Sequence, residues 1–392
     1  MSNKYYIDID SENVMHTYGR FPVVVEKGEG NIATDSDGKQ YIDFTSGIGV
    51  NALGFCNPDW IKAVTEQLGK VQHVSNYYYS QPATQLAAKL TELSGMSKVF
   101  LANSGAEANE GAIKLARKYS FDKYGMDRAT IITLRNSFHG RTLTTLAATG
   151  QDVFHNYFFP FTPGFKYVEI NDIALLEKEL TSDVCAIMAE PIQGEGGVNL
   201  LDCEYVKHLK ALCDAKDVLL IFDEVQTGIG RTGKMFGFEN FAVTPDILTL
   251  AKGLGGGLPI GAFLCNKKLE STLGKSDHGT TYGGNPVCCA GALEVLNQVA
   301  NDACLADVVT KGEYIKKEVL AFGSSKVKSV RGKGLMIGIQ VEGLPKDYAA
   351  AALEAGLLVL TAGTDVVRLL PPLNSSMDIL TKGLEILKGI LK

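Results

Sequence analysis

Between about residues 98 and 265, short β-rich runs alternate with amphipathic helical patterns, which restricts the chain to a mostly parallel sheet covered by helices. The predicted strands are Lys98–Leu101, Thr130–Leu134, Lys166–Ile170, Val184–Ala189, Val218–Asp223, Ile247–Ala251 and Ala262–Cys265. Several are continuous apolar runs, the pattern of strands buried on both faces. In such a sheet a ligand sits beyond the strands' carboxyl ends, so chemistry should be sought there. Between two of the strands, Val206, Leu209, Leu212 and Cys213 recur at helical spacing and predict a surface helix with one buried stripe.

A chain of 392 residues exceeds one ordinary domain. After Asn285-Pro286, a good helix start, a long helix leads into strands near Val327–Arg331, Leu335–Val341 and Val366–Leu370 and a final helix. This reads as an α/β protein in three parts. An N-terminal arm over 1–50 packs with the small domain, a large domain spans 51–285, and a smaller α+β C-terminal domain spans 286–392. The arm reads as strand-rich, with Pro22–Glu26 and Gln40–Phe44 flanking a turn at Ser36-Asp37-Gly38.

Net charge of -6 without a basic block argues against nucleic acid and anionic membranes, leaving small molecules as partners. The segment from Met1 to Met15 is polar and acidic, unlike a signal peptide, and no apolar stretch reaches spanning length. A cytoplasmic protein is expected. Cys56, Cys185, Cys203, Cys213, Cys265, Cys288, Cys289 and Cys304 form no CxxC pair, so they read as buried thiols rather than zinc ligands or disulfides. The histidines show no metal-ligand spacing either, and no metal is expected.

The run Val218–Glu224 carries Asp223 and Glu224 to the carboxyl end of a buried strand. Magnesium-binding strands of P-loop ATPases look similar, but no Gly-Lys pair here completes GxxxxGK[ST]. Gly228–Gly233 matches GxGxxG, the nicotinamide-dinucleotide fingerprint. Yet Glu224–Thr227 separate it from the strand, and Lys234–Phe241 lacks a helical stripe, so a glycine-rich loop is the better account and an NAD-dependent oxidoreductase the out-of-class alternative. Strand Ile247–Ala251 ends at Lys252, where burial would depress the amine's pKa as Schiff-base chemistry requires. Lys98–Leu101 runs into Asn103-Ser104-Gly105-Ala106-Glu107-Ala108-Asn109, where Ser104 and Glu107 predict a capping box and a helix start; such a start also aims free N–H groups at an anion.

These pieces recur together, with Phe138-His139-Gly140-Arg141-Thr142, Glu190-Pro191-Ile192-Gln193-Gly194-Glu195, Asp223-Glu224-Val225-Gln226-Thr227-Gly228, Thr280-Thr281-Tyr282-Gly283-Gly284-Asn285-Pro286 and Arg368. In that order the chain resembles the class III pyridoxal-phosphate-dependent aminotransferases, of fold type I, from Tyr18 to Arg368. The resemblance implies pyridoxal 5′-phosphate bound covalently through Lys252, which also shuttles the proton. It implies Asp223 on the pyridine nitrogen, Gln226 on the ring hydroxyl oxygen, Phe138 stacked on the ring, and Ser104, Gly105 and Ala106 on the phosphate. Thr281 would reach the phosphate of the neighbouring subunit in a homodimer. Among substrate residues, Arg368 would bind the α-carboxylate of glutamate and Arg141 the distal carboxylate. Glu195 would be a removable partner of Arg368, and Tyr18, with Arg20, would close over the substrate.

The implied reaction is ping-pong transfer from an amino acid to a 2-oxo acid, with N-acetylornithine and 2-oxoglutarate as the expected pair, in arginine biosynthesis. Ornithine, succinylornithine, 4-aminobutyrate and N-acyl-diaminopimelate are the alternative donors. Ornithine δ-aminotransferases carry a pocket tyrosine where this chain reads Ser46-Gly47-Ile48-Gly49, which tilts the expectation toward the acetylated donor. One departure from the family pattern is Leu53-Gly54-Phe55-Cys56-Asn57-Pro58, where relatives carry two histidines in place of Phe55 and Asn57.

Overall fold

In the computed structural model, which describes residues 1–392, the chain opens with a helix, Asn3–Asn13, that buries none of its side chains. The strand-rich reading of the arm missed it because the segment has no apolar stripe to announce a helix. Strands β1 (Val25–Glu29), β2 (Ile32–Asp35) and β3 (Gln40–Asp43) follow as an antiparallel meander. The turn between β2 and β3 falls at Ser36-Asp37-Gly38, where Gly38 takes φ 87° and its N–H donates to the Asp35 carbonyl at 3.0 Å.

The large sheet contains β4 (Lys98–Ala102), β5 (Thr130–Leu134), β6 (Phe165–Val168) and β7 (Val184–Ala189). A two-stranded excursion, β8 (Ile192–Gln193) and β9 (Asn199–Leu200), precedes its remaining strands, β10 (Leu219–Asp223), β11 (Ile247–Leu250) and β12 (Gly261–Cys265). Their order is β4-β12-β11-β10-β7-β5-β6. All pairs are parallel except those made by β12, which runs antiparallel to both neighbours. That reversal puts the start of β12 at the same edge as the carboxyl ends of the others. Val184–Ala189 and Leu219–Asp223 are buried at every position, as the continuous apolar runs required.

One face of the sheet packs on helix Gly105–Tyr124 through Ala112, Ile113, Ala116, Met188, Ile221 and Phe263. The other face joins a core that continues without a break into the C-terminal part. Helix Cys203–Lys216 contributes Val206, Leu209 and Cys213 to that core, with Leu212 at its margin. The single long helix expected after Asn285 is two, Pro286–Val299 and Asp302–Leu320; the Asn285 side chain caps the first by accepting from the N–H groups of Val287 and Cys288. The first packs on helices Pro58–Leu68 and Gln81–Ser94.

The remaining strands are β13 (Val327–Lys333), β14 (Met336–Val341), β15 (Leu357–Leu358), β16 (Leu360–Ala362) and β17 (Val366–Leu369). They form an antiparallel sheet of order β13-β14-β17-β16, covered by helices Asp302–Leu320 and Pro345–Glu354, on which the final helix Met377–Leu391 packs, while β15 extends the N-terminal meander by pairing parallel with β3. The loop Gly228–Gly233 opens no helix. Its Arg231 is buried and donates to the carbonyls of Leu335 (3.1 Å) and Pro371 (2.5 Å), so the loop pins the large sheet to the C-terminal strands. Val299 and Val309 fill the space beside Gly230 and Gly233, leaving no room there for a dinucleotide. No helix is long and apolar enough to cross a membrane. All eight cysteines are unpaired; Cys56 and Cys203 are exposed, correcting the expectation that every thiol is buried.

Candidate active site

A cavity of about 460 Å³ opens where the loops after β4, β5, β7, β10 and β11 meet the start of β12. Ten of the predicted site residues bear on it, with Val225 beside them. Ser104, Gly105, Ala106, Phe138, Arg141, Glu195, Asp223, Gln226 and Lys252 line its wall, Arg368 lies directly behind Glu195 and Gln226, and Val225 packs against Gly105.

Lys252 follows β11 on a one-turn 3₁₀ helix and is held at φ 45°, a left-handed conformation that a non-glycine residue adopts at a cost. Lys252 is half-buried, and loss of solvent lowers its ammonium pKa, opposed by Glu195 and assisted by Arg368. The amine is therefore closer to the neutral, nucleophilic form than an exposed lysine.

Asp223 ends β10 and is almost fully buried, a position that demands partners. One carboxylate oxygen accepts from the Val225 N–H at 3.0 Å, and the other from Asn109 Nδ2 at 2.8 Å and His139 Nδ1 at 2.7 Å. Because a carboxylate only accepts, Nδ1 of His139 carries the proton. Asn109 also donates to the His139 carbonyl at 2.7 Å, closing a small network. Neither residue was given a role from the sequence, although both stand inside the motifs quoted.

Glu224 goes elsewhere. Successive strand residues face opposite ways, so its carboxylate points away from the cavity and accepts from the N–H groups of Gly237 and Phe238. Burial pushes its pKa up to about 8. The acidic strand thus delivers one carboxylate to the site, not two.

The N-terminus of helix Gly105–Tyr124 points into the cavity. Ser104 caps it by accepting from the Glu107 N–H at 3.1 Å; Glu107, however, accepts from the backbone N–H of Asn103 (2.8 Å), one residue short of the predicted reciprocal box. The free N–H groups of the first turn and the positive helix end make an anion site. A side-chain atom on Gly105 would lie 2.8 Å from Val225, so the close approach needs glycine.

Glu190, another residue without an assigned role, is fully buried beside the cavity. Burial raises its pKa to about 7, against the pull of His139 and with the push of Asp223. Its two oxygens accept from the N–H groups of Phe138 (2.9 Å) and Gly194 (3.1 Å), tying the aromatic wall to the segment that carries Glu195.

The two predicted carboxylate-binding arginines differ in surroundings. Arg368, on β17, is only 2 % exposed and donates through NH1 to Glu195 at 2.7 Å and to Gln226 at 3.1 Å. Burial raises the Glu195 pKa, but the Arg368 charge and hydrogen bond outweigh it and hold the carboxyl below its ordinary value. The Gln226 amide expected on a ring hydroxyl is, here, engaged with this pair. Arg141 is exposed at the cavity mouth and lies over aromatic rings.

Not every predicted residue converges. Tyr18 is exposed in a separate cavity with Tyr6, Asp10, His16 and Arg20, where Arg20 pairs with Asp10 at 3.1 Å. Thr281 is exposed and lies outside this chain's own cavity. The Ser46–Gly49 segment has four successive positive φ angles, with the Ser46 hydroxyl donating to the Leu370 carbonyl at 2.6 Å, and it presents no tyrosine. Behind the opposite wall, Trp60 donates from its indole nitrogen to the Gly255 carbonyl at 3.2 Å and packs under Gly256 and Gly257; Gly257 lines the cavity. Asn57, where relatives carry histidine, caps helix Pro58–Leu68 and exchanges hydrogen bonds with Gln298, a structural use.

Comparison with known proteins places this geometry. The aminotransferase class-III profile matches residues 14–391. The acetylornithine aminotransferase of Haemophilus ducreyi is 49% identical over 394 residues, covering 100% of this chain and 99% of that protein. That of Methanocaldococcus jannaschii is 48% identical, covering 95% and 94%. Among solved structures, the ornithine aminotransferase of Toxoplasma gondii superimposes with a TM-score of 0.96 at 32% identity, covering 100% of this chain and 95% of that one. The N-acetylornithine aminotransferase of Stenotrophomonas maltophilia gives 0.86 at 37% identity, covering 98% of both.

Proposed function

Since this chain belongs to the class III aminotransferases, with the fold type I architecture of that family, we propose that it moves the terminal amino group of N-acetylornithine to 2-oxoglutarate. The products are N-acetylglutamate 5-semialdehyde and glutamate, and the setting is arginine biosynthesis. The cofactor of the family is pyridoxal 5′-phosphate, and the residues of the cavity fit it. A half-buried lysine of lowered pKa, a hydrogen-bonded carboxylate and a glycine-bearing helix N-terminus converge on one cavity.

When bound, the cofactor's protonated ring withdraws electrons from the carbon that loses its proton. Lys252 would hold the cofactor covalently, and its Nζ, once released, would take up and return the proton of the substrate carbon. Asp223, oriented by Asn109 and His139, would keep the ring nitrogen protonated. Ser104, Gly105 and Ala106 would hold the phosphate, Phe138 would cover a ring face, and Gln226 would turn from the Arg368–Glu195 pair to the ring hydroxyl oxygen.

The observation that carries the donor assignment is the closed Arg368–Glu195 pair beside an unpaired Arg141. A donor reacting through its terminal amine brings no carboxylate to Arg368, so that charge must be neutralised, while Arg141 takes the donor's distant carboxylate. Glutamate and 2-oxoglutarate then displace Glu195 and use both arginines. Whole-chain identity to acetylornithine aminotransferases and the lack of a tyrosine in Ser46–Gly49 favour the acetylated donor. The ornithine aminotransferase likeness keeps ornithine as the second reading.

The assembly we propose is a cytoplasmic homodimer. Tyr77 and Tyr79 are 94 % and 99 % exposed, an apolar surface that a second copy would cover, and Thr281 would complete the partner's phosphate site. Eight unpaired thiols suit a reducing compartment.

The test is the visible absorption of the purified protein beside a Lys252→Ala variant. N-acetylornithine should bleach the cofactor band at lower concentration than ornithine, 2-oxoglutarate should restore it, and the variant should lack it. Bleaching by glutamate but not by N-acetylornithine would overturn the donor, and failure to form any band with added cofactor would overturn the whole assignment.

A further inference from the structure

Arg141 makes no hydrogen bond or ion pair with any protein group; what holds it is aromatic. Its guanidinium carbon lies 3.8 Å from the centroid of the Phe154 ring and 5.6 Å from that of Phe138. The two rings meet edge to face, with centroids 6.1 Å apart at 77°.

Phe154 itself is firmly placed. It closes a one-turn 3₁₀ helix, Asp152–Phe154, whose N–H donates to the Gln151 carbonyl at 3.0 Å. Gln151 in turn donates to the Ser137 carbonyl at 3.0 Å, and the His155 ring bonds the Leu146 carbonyl at 2.9 Å. The surrounding Val153, Tyr157, Phe158 and Phe159 are exposed, whereas Phe154 is half-buried against the site.

From this arrangement we propose that Phe154 is a positioning residue for the substrate's distal carboxylate. It orients Arg141 by stacking, without using any of the arginine's hydrogen-bonding capacity. The inference rests on Arg141 being a carboxylate binder. A guanidinium's N–H donors all lie in its plane, so a ring against its face fixes that plane and leaves the donor edge free. An acidic partner would orient Arg141 equally well but would have to be displaced by each substrate. Because Arg141 serves both half-reactions, Phe154 should govern the affinity for the amino donor and for 2-oxoglutarate alike.

The test uses the cofactor-loaded enzyme and the variants Phe154→Leu, Phe154→Met, Phe154→Tyr and Arg141→Met. Steady-state kinetics are measured with both substrates, and glutarate binding at equilibrium. Loss of the stack should raise both KM values and the glutarate Kd by a common factor of about 2- to 30-fold, with kcat and the cofactor absorption retained. Phe154→Tyr, which keeps the ring, should restore all three, and adding Phe154→Leu to Arg141→Met should cost nothing further. Two non-aromatic variants keep the test open if one fails to fold. The proposal is overturned if the foldable non-aromatic variant leaves both KM values within 2-fold of the parent, raises only one, or releases cofactor. If Arg141→Met itself moves neither KM, the role of Arg141 fails instead; if it moves both while Phe154 variants do not, only Phe154 is wrong.

Discussion

The two ends of the cavity hold the same side chain in opposite states. Arg368 is buried and ion-paired with Glu195; Arg141 is exposed, unpaired and stacked on an aromatic ring. Burying a guanidinium is tolerable only with a partner, so the inner arginine needs Glu195 whenever no substrate carboxylate is present. The outer arginine keeps its hydration and needs only orientation. The inner site can therefore be switched between substrates, whereas the outer site stays permanently open.

The severest way to break this contrast is Arg368→Met. It strands Glu195 and removes a buried, charge-assisted contact worth about 2–5 kcal/mol, so the glutamate half-reaction should lose kcat/KM by roughly 30- to 5,000-fold. The N-acetylornithine half-reaction should fall far less; stopped-flow bleaching with each donor separates the two, and equal losses would mean that both ends serve every substrate.

Glu195→Gln should act next in size and in the opposite sense. With Arg368 unmasked, the N-acetylornithine half-reaction should slow by about 10-fold while glutamate is spared, an effect of the order of one charged hydrogen bond. A variant that slowed glutamate instead would end the idea of a removable partner.

A control comes from Glu224, which is buried away from both arginines. Its folded pKa, raised to about 8 from an ordinary 4.5, means the folded state holds its proton more tightly, so this group's contribution to stability falls as pH rises from about 4.5 to about 8. Glu224→Gln should flatten that part of the Tm-versus-pH curve and leave the ratio of the two half-reactions unchanged. A curve parallel to the parent's would show that Glu224 does not titrate there.

The smallest expected effect is of salt. Raising ionic strength from about 0.01 to 0.1 M shortens the screening length from about 30 to 10 Å, so the N-acetylornithine KM, which depends on exposed Arg141, should rise about 2-fold. Absence of any salt response would argue that Arg141 is shielded when substrate binds.

The large sheet was legible because its strands are buried on both faces and its runs are uninterrupted; Thr130–Leu134 and Val184–Ala189 coincide with observed strands to the residue. Helix Asn3–Asn13 was illegible for the converse reason, since a helix that buries nothing imposes no pattern. Motifs identified the residues that meet at the cavity but not the supports among them. Asn109 and His139 lie 114 and 84 residues from Asp223 in the chain, and only the fold makes them its hydrogen-bond partners. The same limit hid the stacking of Phe154 on Arg141, whereas the outward turn of Glu224 follows from strand alternation and was open to a stricter reading of Val218–Glu224. Spacing along the chain does not encode which way a side chain turns in a loop.

Trp60 is the only tryptophan in the chain, and its indole N–H is bonded to the carbonyl of Gly255, under the glycine wall of the cavity. Excited selectively, the protein therefore emits from a single, known place. Any movement of that wall as substrates exchange alters the indole's hydrogen bond and must register as a change in emission, so the unlabelled enzyme carries its own optical gauge of the site.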